Sequence, residues 1–578
     1  MNNARSILSL ALSSLIALSA CRKDQESPGG IKDDSLPHRY ANGMVSSATP
    51  EATQAGMEVL RGGGNAVDAA VAVGFALAVS LPQAGNLGGG GFMVIRMADG
   101  RSTTFDFRER APGKATRDMY LDSAGNVIPD LSLTGALAAG VPGSPAGLLA
   151  ALDKYGTKPR RQVIGPAIRL AAEGFRVQPG LAANIAEKLH DFSRFPSTLA
   201  IFAPDTIPLK AGTTFRQPAL ARTLQRISDS GAAGFYSGTT ADMIVRQMER
   251  SGGIITHQDL LDYKPSERRP VVGTYRGDSI ISMPPPSSGG PLLIQMLNMM
   301  EGYDFHTIPF HSAAHAHVMA EIMRRAYADR AHHLGDPDFF SVPVAGLVSK
   351  EYAKSRAATI TDSATPSARI SSGDMSAYMH ESPQTTHYSV VDKDGNCVSV
   401  TVTLNASFGS KLVVDGAGFF LNDEMDDFAA KPGAPNLYGL LGDTANAIVP
   451  GKRMLSSMTP TIIIRDGRPW LVVGTPGGST IITTVLQVIQ NQADYGMTLR
   501  EAGDAPRIHQ QWYPDTVYYE KGAFTTATLD TLKSLGYKTV ERDAPSGRVD
   551  AIRIIDVDGK RWMEGYSDSR GYGSAEGY

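Results

Sequence analysis

The chain has 578 residues, 42% of them hydrophobic and 20% charged, the balance of a soluble globular protein. Its net charge of -3 and pI near 6.5 leave no electrostatic footprint for nucleic acid, and no basic run is interleaved with aromatic residues. The length allows more than one ordinary domain, although α/β enzymes of this size can share one continuous core.

Arg5 precedes an apolar run over residues 7–18, which ends in Leu18-Ser19-Ala20-Cys21 and is too brief to span a bilayer stably. The segment resembles a bacterial lipoprotein signal peptide. That resemblance implies removal of residues 1–20, lipidation of Cys21 as the mature N-terminus, and export to the bacterial periplasm on a membrane anchor. The alternative is an ordinary secretory signal cleaved nearby. Residues 21–38 are polar, carry Pro28, Gly29 and Gly30, and suit a flexible tether. With lipid on Cys21 no intramolecular disulfide can form, and Cys397 reads as a buried small hydrophobe.

Beyond the tether, Thr49-Pro50 is an N-cap with a first-turn proline, opening a helix that Gly62-Gly63-Gly64 stops. Residues 65–80 follow as a helix apolar nearly all round, which means burial between layers. Gly88-Gly89-Gly90-Gly91 lacks the Lys and Ser/Thr of a nucleotide loop and leads into a strand over 92–96, so a tight turn of close-approaching backbone is expected. A strand over 102–107 ends at Arg108, in Asp106-Phe107-Arg108-Glu109-Arg110-Ala111-Pro112; such an arginine is ordinarily a solvated charge or a structural ion pair. From 144 to 260 the pattern is helical, with Ser144-Pro145 opening one helix, Gly156 closing it and Gly174 closing the next. Residues 280–290 form a rigid, proline-rich turn that feeds a further helix. Six histidines follow, at 306, 311, 315, 317, 332 and 333. His311 and His315 have the i, i+4 spacing that could hold a metal on a helix, but no glutamate completes a zinc-protease arrangement.

Residues 384–392 alternate as a strand. Lys393-Asp394-Gly395 is a turn signal and residues 397–404 form a second strand. A three-residue loop with Gly395 left-handed pairs Asp392 with Asn396 and, carried along the register, sets Thr385 opposite Thr403. A two-residue loop would shift that register by one.

The string Gln384-Thr385-Thr386-His387-Tyr388-Ser389 resembles the processing site of the gamma-glutamyltranspeptidases, members of the N-terminal-nucleophile hydrolase superfamily. The resemblance covers about residues 38–578 and implies an α+β fold, a four-layer αββα sandwich. It also implies self-cleavage between Gln384 and Thr385 into a heavy fragment, 39–384, and a light fragment, 385–578, which form a non-covalent heterodimer. The freed α-amine of Thr385, with a reference pKa of roughly 7.7–8.0, can then act as base for the hydroxyl beside it.

The same resemblance assigns the remaining site. Thr403 would support the nucleophile. Arg108, with Ser456 and Ser457 in Lys452-Arg453-Met454-Leu455-Ser456-Ser457-Met458, would bind the substrate α-carboxylate. Asn405, Glu424 and Asp427, the last two in Leu421-Asn422-Asp423-Glu424-Met425-Asp426-Asp427-Phe428, would bind the α-amino group. Tyr438, in the turn-rich segment 431–439, would sit on a lid and touch Asn405. Gly477 and Gly478, before a helix over 479–491, would present oxyanion-hole amides; glycines at a helix N-terminus are an anion site on physical grounds as well. Ser569 stands where members of the family have proline.

The expected substrates are glutathione and other gamma-glutamyl compounds, with water or an amino acid or dipeptide as acceptor, and no cofactor or metal. Two alternatives are a cephalosporin or glutaryl acylase, which the acid at 427 disfavours, and an inactive surface lipoprotein that binds gamma-glutamyl compounds.

Overall fold

Strand Thr386–Asp392 lies inside one of two seven-stranded sheets of the computed structural model, which describes residues 38–373 and 386–578. In spatial order that sheet runs Ser574–Gly577, Gly43–Ser47, Thr386–Asp392, Cys397–Thr403, Gly90–Arg96, Ser102–Asp106 and Ser266–Arg268, all neighbours antiparallel. The second sheet runs Arg39–Tyr40, Lys560–Ser567, Asp550–Val557, Arg468–Gly474, Thr461–Arg465, Asp278–Ser282 and Val271–Tyr275, again antiparallel throughout. Each sheet takes strands from both sides of the 384/385 junction.

The sheets pack face to face over Met44, Phe92, Val94, Val391, Cys397, Ile462, Val472 and Ile552. Helices Pro50–Arg61, Ala66–Ser80 and Ser144–Tyr155 cover the outer face of the first sheet, and Gly289–Met300, Ala313–His333 and Thr480–Ala493 that of the second. This is the expected four-layer αββα order. It explains why Thr386–Asp392 and Cys397–Thr403 are buried at every position: a strand covered on both faces has no reason to alternate. Cys397 is a free, fully buried thiol among these apolar residues, as its sequence context implied.

The hairpin has the anticipated register, Thr386 facing Val402 and Val391 facing Cys397, with Gly395 at φ 92°. Asp392 fixes its turn. Oδ1 accepts from the amides of Asp394, Gly395 and Asn396, each at 3.0 Å, while Oδ2 accepts from Ala66 N at 2.9 Å. One carboxylate thus closes the hairpin and meets the positive end of the central helix.

That helix opens on a capping box: Asn65 Oδ1 accepts from Val67 N and Asp68 N, and Asp68 Oδ2 accepts from Asn65 N. Every residue of Ala66–Ser80 is buried. The glycine run differs from the expected turn. Its strand already begins at Gly90, and none of the four glycines has positive φ. They are needed for backbone approach: a Cβ would lie 2.1 Å from Phe420 O at Gly88, 2.0 Å from Thr403 O at Gly89 and 2.4 Å from Thr401 O at Gly91. No helix among the described residues is long and apolar enough to cross a membrane. Cys21 and the signal and tether segments lie outside the described residues.

Candidate active site

Arg108 follows strand Ser102–Asp106, its amide held by Asp106 Oδ1 at 3.0 Å. Its guanidinium is fully buried and surrounded by acids. Nη1 lies 2.5 Å from Glu424 and 3.3 Å from Glu109, and Nη2 lies 2.5 Å from Asp427. Nε donates to Met454 O and Nη2 to Leu455 O, each at 3.2 Å. These two carbonyls bring the segment carrying Ser456 and Ser457 against the arginine. Both serines are buried; Ser456 Oγ accepts from Met458 N at 3.2 Å, and Ser457 Oγ has no hydrogen-bond partner among the described residues.

One guanidinium against three carboxyls would leave a surplus of negative charge if all were ionised. Burial opposes that: it pushes Glu109 up to about 8 and raises Glu424 and Asp427 well above the usual carboxylate range, against the pull of Arg108. Burial by itself would lower Arg108, but Glu424, Glu109 and Asp427 hold it firmly charged. Glu109 is the member of this group that motif reading missed. Its adjacency to Arg108 was the available signal, yet sequence cannot show that both side chains turn to the same side.

Asn405 follows strand Cys397–Thr403 in the left-handed region, at φ 75°. Thr403 Oγ1 accepts from Asn405 N at 2.7 Å, and Asn405 Nδ2 donates to Asp423 O at 2.9 Å. Asp423 Oδ1 accepts in turn from Ala406 N at 2.9 Å, so residues 405–406 are tied to the acidic segment at two points. Asn405 Oδ1 is buried and without a partner among the described residues. An asparagine tolerates this backbone better than most residues.

The turn-rich segment 431–439 packs against Asn405. Tyr438 OH donates to Asn405 O at 3.3 Å, the contact anticipated from the motif. Asn436 organises the turn, its Oδ1 accepting from Tyr438 N and Leu440 N and its Nδ2 donating to Asp427 Oδ1 at 3.2 Å. Asp426 Oδ2 accepts from Leu437 N at 3.0 Å. The segment is therefore anchored to two consecutive aspartates, one of which also holds Arg108.

Strand Arg468–Gly474 leads to Gly477 and Gly478, at φ 141° and 66°. The following helix is Thr480–Ala493, and its first turn uses the carbonyls of Gly477 and Gly478, accepting from Thr480 N and Ile481 N. Gly474 stands directly against His387: a Cβ there would lie 2.4 Å from Cε1 and Nδ1 of the ring. The glycine turn and the Thr386 end of the hairpin thus share one end of the sandwich. Gln384 and Thr385 lie outside the described residues, and so does the facing of Thr385 and Thr403.

The histidines scatter into separate environments. His311 precedes helix Ala313–His333 at φ 57°, so it does not share a helical face with His315. Burial lowers His311 to about 3 and His315 to about 4; His315 packs among Phe305, Phe310 and Tyr495, and His311 against Phe310, Phe524 and the His315 ring. His317 bonds Thr361 O and Tyr537 OH, and His333 bonds Gly373 O. Among the described residues no group of three or more His, Cys, Asp or Glu could hold a metal ion.

The gamma-glutamyltranspeptidase family model matches residues 52–578. The chain is 51% identical over 546 residues to the glutathione hydrolase proenzyme of Escherichia coli (strain K12), covering 94% of this chain and 93% of that protein. It is 38% identical over 524 residues to the acylase ACY 1 proenzyme of Pseudomonas sp. (strain SE83), covering 89% of this chain and 90% of that one. The crystal structure of a cephalosporin acylase from Bacillus halodurans superposes with a TM-score of 0.84 at 27% identity, covering 96% of this chain and 99% of that one.

Proposed function

The chain belongs to the gamma-glutamyltranspeptidase family, and from that premise we propose that it is a glutathione hydrolase and gamma-glutamyltransferase made as a self-processing proenzyme. Cleavage between Gln384 and Thr385 gives fragments 39–384 and 385–578. The distribution of strands supports a stable non-covalent pair, because both sheets draw on both fragments and neither fragment alone could complete either sheet.

The Thr385 hydroxyl attacks the gamma-carbonyl carbon and its proton passes to the α-amine. The C–N bond breaks, the amine leaves with that proton, and a gamma-glutamyl ester remains on Thr385. Water or an acceptor amine opens the ester by the reverse path, so ping-pong kinetics are expected with an acceptor. Gly477 and Gly478 amides stabilise the oxyanion, where losing one donor costs roughly 2.7–4 kcal/mol. Thr403 supports the nucleophile.

The observation that carries glutamyl specificity is the arginine surrounded by Glu424, Asp427 and Glu109. This is the complement of a zwitterion. The substrate α-carboxylate takes the guanidinium together with Ser456 and Ser457; its α-ammonium takes Glu424, Asp427 and Asn405. A glutaryl or cephalosporin side chain without that ammonium would leave buried acids uncompensated. Tyr438 closes the lid over the acyl-enzyme. A signal peptide over 1–20 would direct export and be removed, and lipid on Cys21 would hold the enzyme at a membrane of the periplasm.

The test is release of p-nitroaniline from gamma-glutamyl and glutaryl anilides, with Thr385→Ala as control and N-terminal sequencing of the smaller fragment. The expected result is a fragment starting at Thr385, turnover of the gamma-glutamyl anilide, and neither cleavage nor turnover in Thr385→Ala. An active uncut chain, or a preference for the glutaryl anilide, would overturn the reading.

A further inference from the structure

The two sheets part at the end opposite Thr386, seven residues or roughly 20 Å along the strand, leaving a cavity of about 840 Å³. Its floor is Val391, Cys397 and Ile554, all buried and apolar. Its walls carry four arginines. Arg465 is matched by Asp278 at 2.6 Å and Arg468 by Asp556 at 3.6 Å.

The other two are not matched. Arg96, only 9% exposed, donates to Met97 O at 2.9 Å and Gly467 O at 3.3 Å and has no carboxylate within ion-pair distance among the described residues. Arg561 donates to Lys393 O. Of the acids on the walls, Asp394 is engaged by Lys393 and Asp556 by Arg468, so Asp466 alone stands against Arg96 and Arg561. A guanidinium has five N–H donors, and a buried charge is ordinarily paired. A cavity of this size with an apolar floor and surplus positive charge is proportioned for a small ligand.

We propose that this cleft is a second binding site, separate from the catalytic end, for a small organic acid: an anionic head on Arg96 and Arg561 and an apolar body over Val391, Cys397 and Ile554. Trp470, which also lines the cleft, supplies an optical reporter.

The test titrates the processed, full-length enzyme with 8-anilinonaphthalene-1-sulfonate, reading its fluorescence and energy transfer from tryptophan. One equivalent should bind, at least tenfold more weakly in Arg96→Met and in Arg561→Glu, with gamma-glutamyl anilide hydrolysis unchanged in both. Trp470→Phe should lower the transfer, Trp562 beside Arg561 and opposite Ile555 supplying the remainder. Should Arg96→Met fail to fold, Arg561→Glu decides, because among the described residues that arginine donates only to the turn carbonyl of Lys393. Displacement by decanoate identifies an acyl chain as the body, and displacement by benzoate an aryl group. Undiminished affinity in Arg561→Glu, transfer wholly unchanged in Trp470→Phe, or displacement by neither acid would overturn the proposal.

Discussion

Nη2 of Arg108 lies 2.5 Å from Oδ2 of Asp427, and neither side chain is exposed to solvent. Burial alone would keep Asp427 neutral, and the guanidinium beside it and a bound ammonium together favour its charged form. Asp427→Asn keeps shape and removes the carboxyl that the ammonium would ionise. Expected is a fall of roughly 10²-fold in kcat/KM for a gamma-glutamyl anilide, about 3 kcal/mol, with a much smaller change for the glutaryl analogue. Parallel kinetics on both anilides check this; equal losses would mean that Asp427 does not read the ammonium.

The other oxygen of Asp427 accepts from Asn436, in the segment proposed as the lid. Asn436→Ala removes that tie and the two turn bonds to Tyr438 N and Leu440 N, whereas Tyr438→Phe removes one bond to Asn405 O. With a neutral hydrogen bond worth roughly 0.5–1.5 kcal/mol, KM should rise several-fold in Asn436→Ala and less in Tyr438→Phe. Steady-state kinetics of both variants give the order.

Asp550 is buried between the sheets, accepts from Ser46 Oγ at 3.0 Å, and is pushed up to about 8 chiefly by that burial. Its folded-state pKa is raised, so the stability it adds is complete below the unfolded value near 4 and is lost as pH rises towards 8. Wild type should therefore lose about 2–3 kcal/mol relative to Asp550→Asn between pH 5 and 7. Urea unfolding at the two pH values tests the slope. A flat difference would show that the group is ionised in the fold.

At Gly474 a methyl group would meet the His387 ring at 2.4 Å, and that ring is held from both sides by Thr401 Oγ1 and Ser389 Oγ at 3.0 Å. Gly474→Ala should cost about 1–3 kcal/mol, seen as a lowered Tm, and adding His387→Ala should recover part of it by vacating the space. A silent single variant would mean that the two strands can part without cost.

Much of the architecture was legible because it rests on local chemistry. Thr49 with Pro50 marks a capped helix start, a helix apolar all round has to be buried, and Asp392 with Gly395 fixes a hairpin whose register follows from loop length. Motif order also brought Arg108, Asn405, Glu424, Asp427, Ser456 and Tyr438 into one neighbourhood. Spacing misled at His311, where a left-handed residue ahead of Ala313 breaks the apparent helical face. The glycine run was right in kind but wrong in shape, since partner carbonyls reach it from Thr401, Thr403 and Phe420, far along the chain.

The amino-acid order alone determined the elements, their caps and the family, because these depend on side chains within a few positions of one another or on the succession of motifs. Only the folded arrangement decided that Glu109 joins the acids on Arg108, that Asn436 ties segment 431–439 to Asp427, and that Arg96 has no carboxylate within ion-pair distance among the described residues. Those depend on which charges the packed layers deprive of water together. Residues more than 300 positions apart, as Arg108 and Asp427 are, carry no local trace of that.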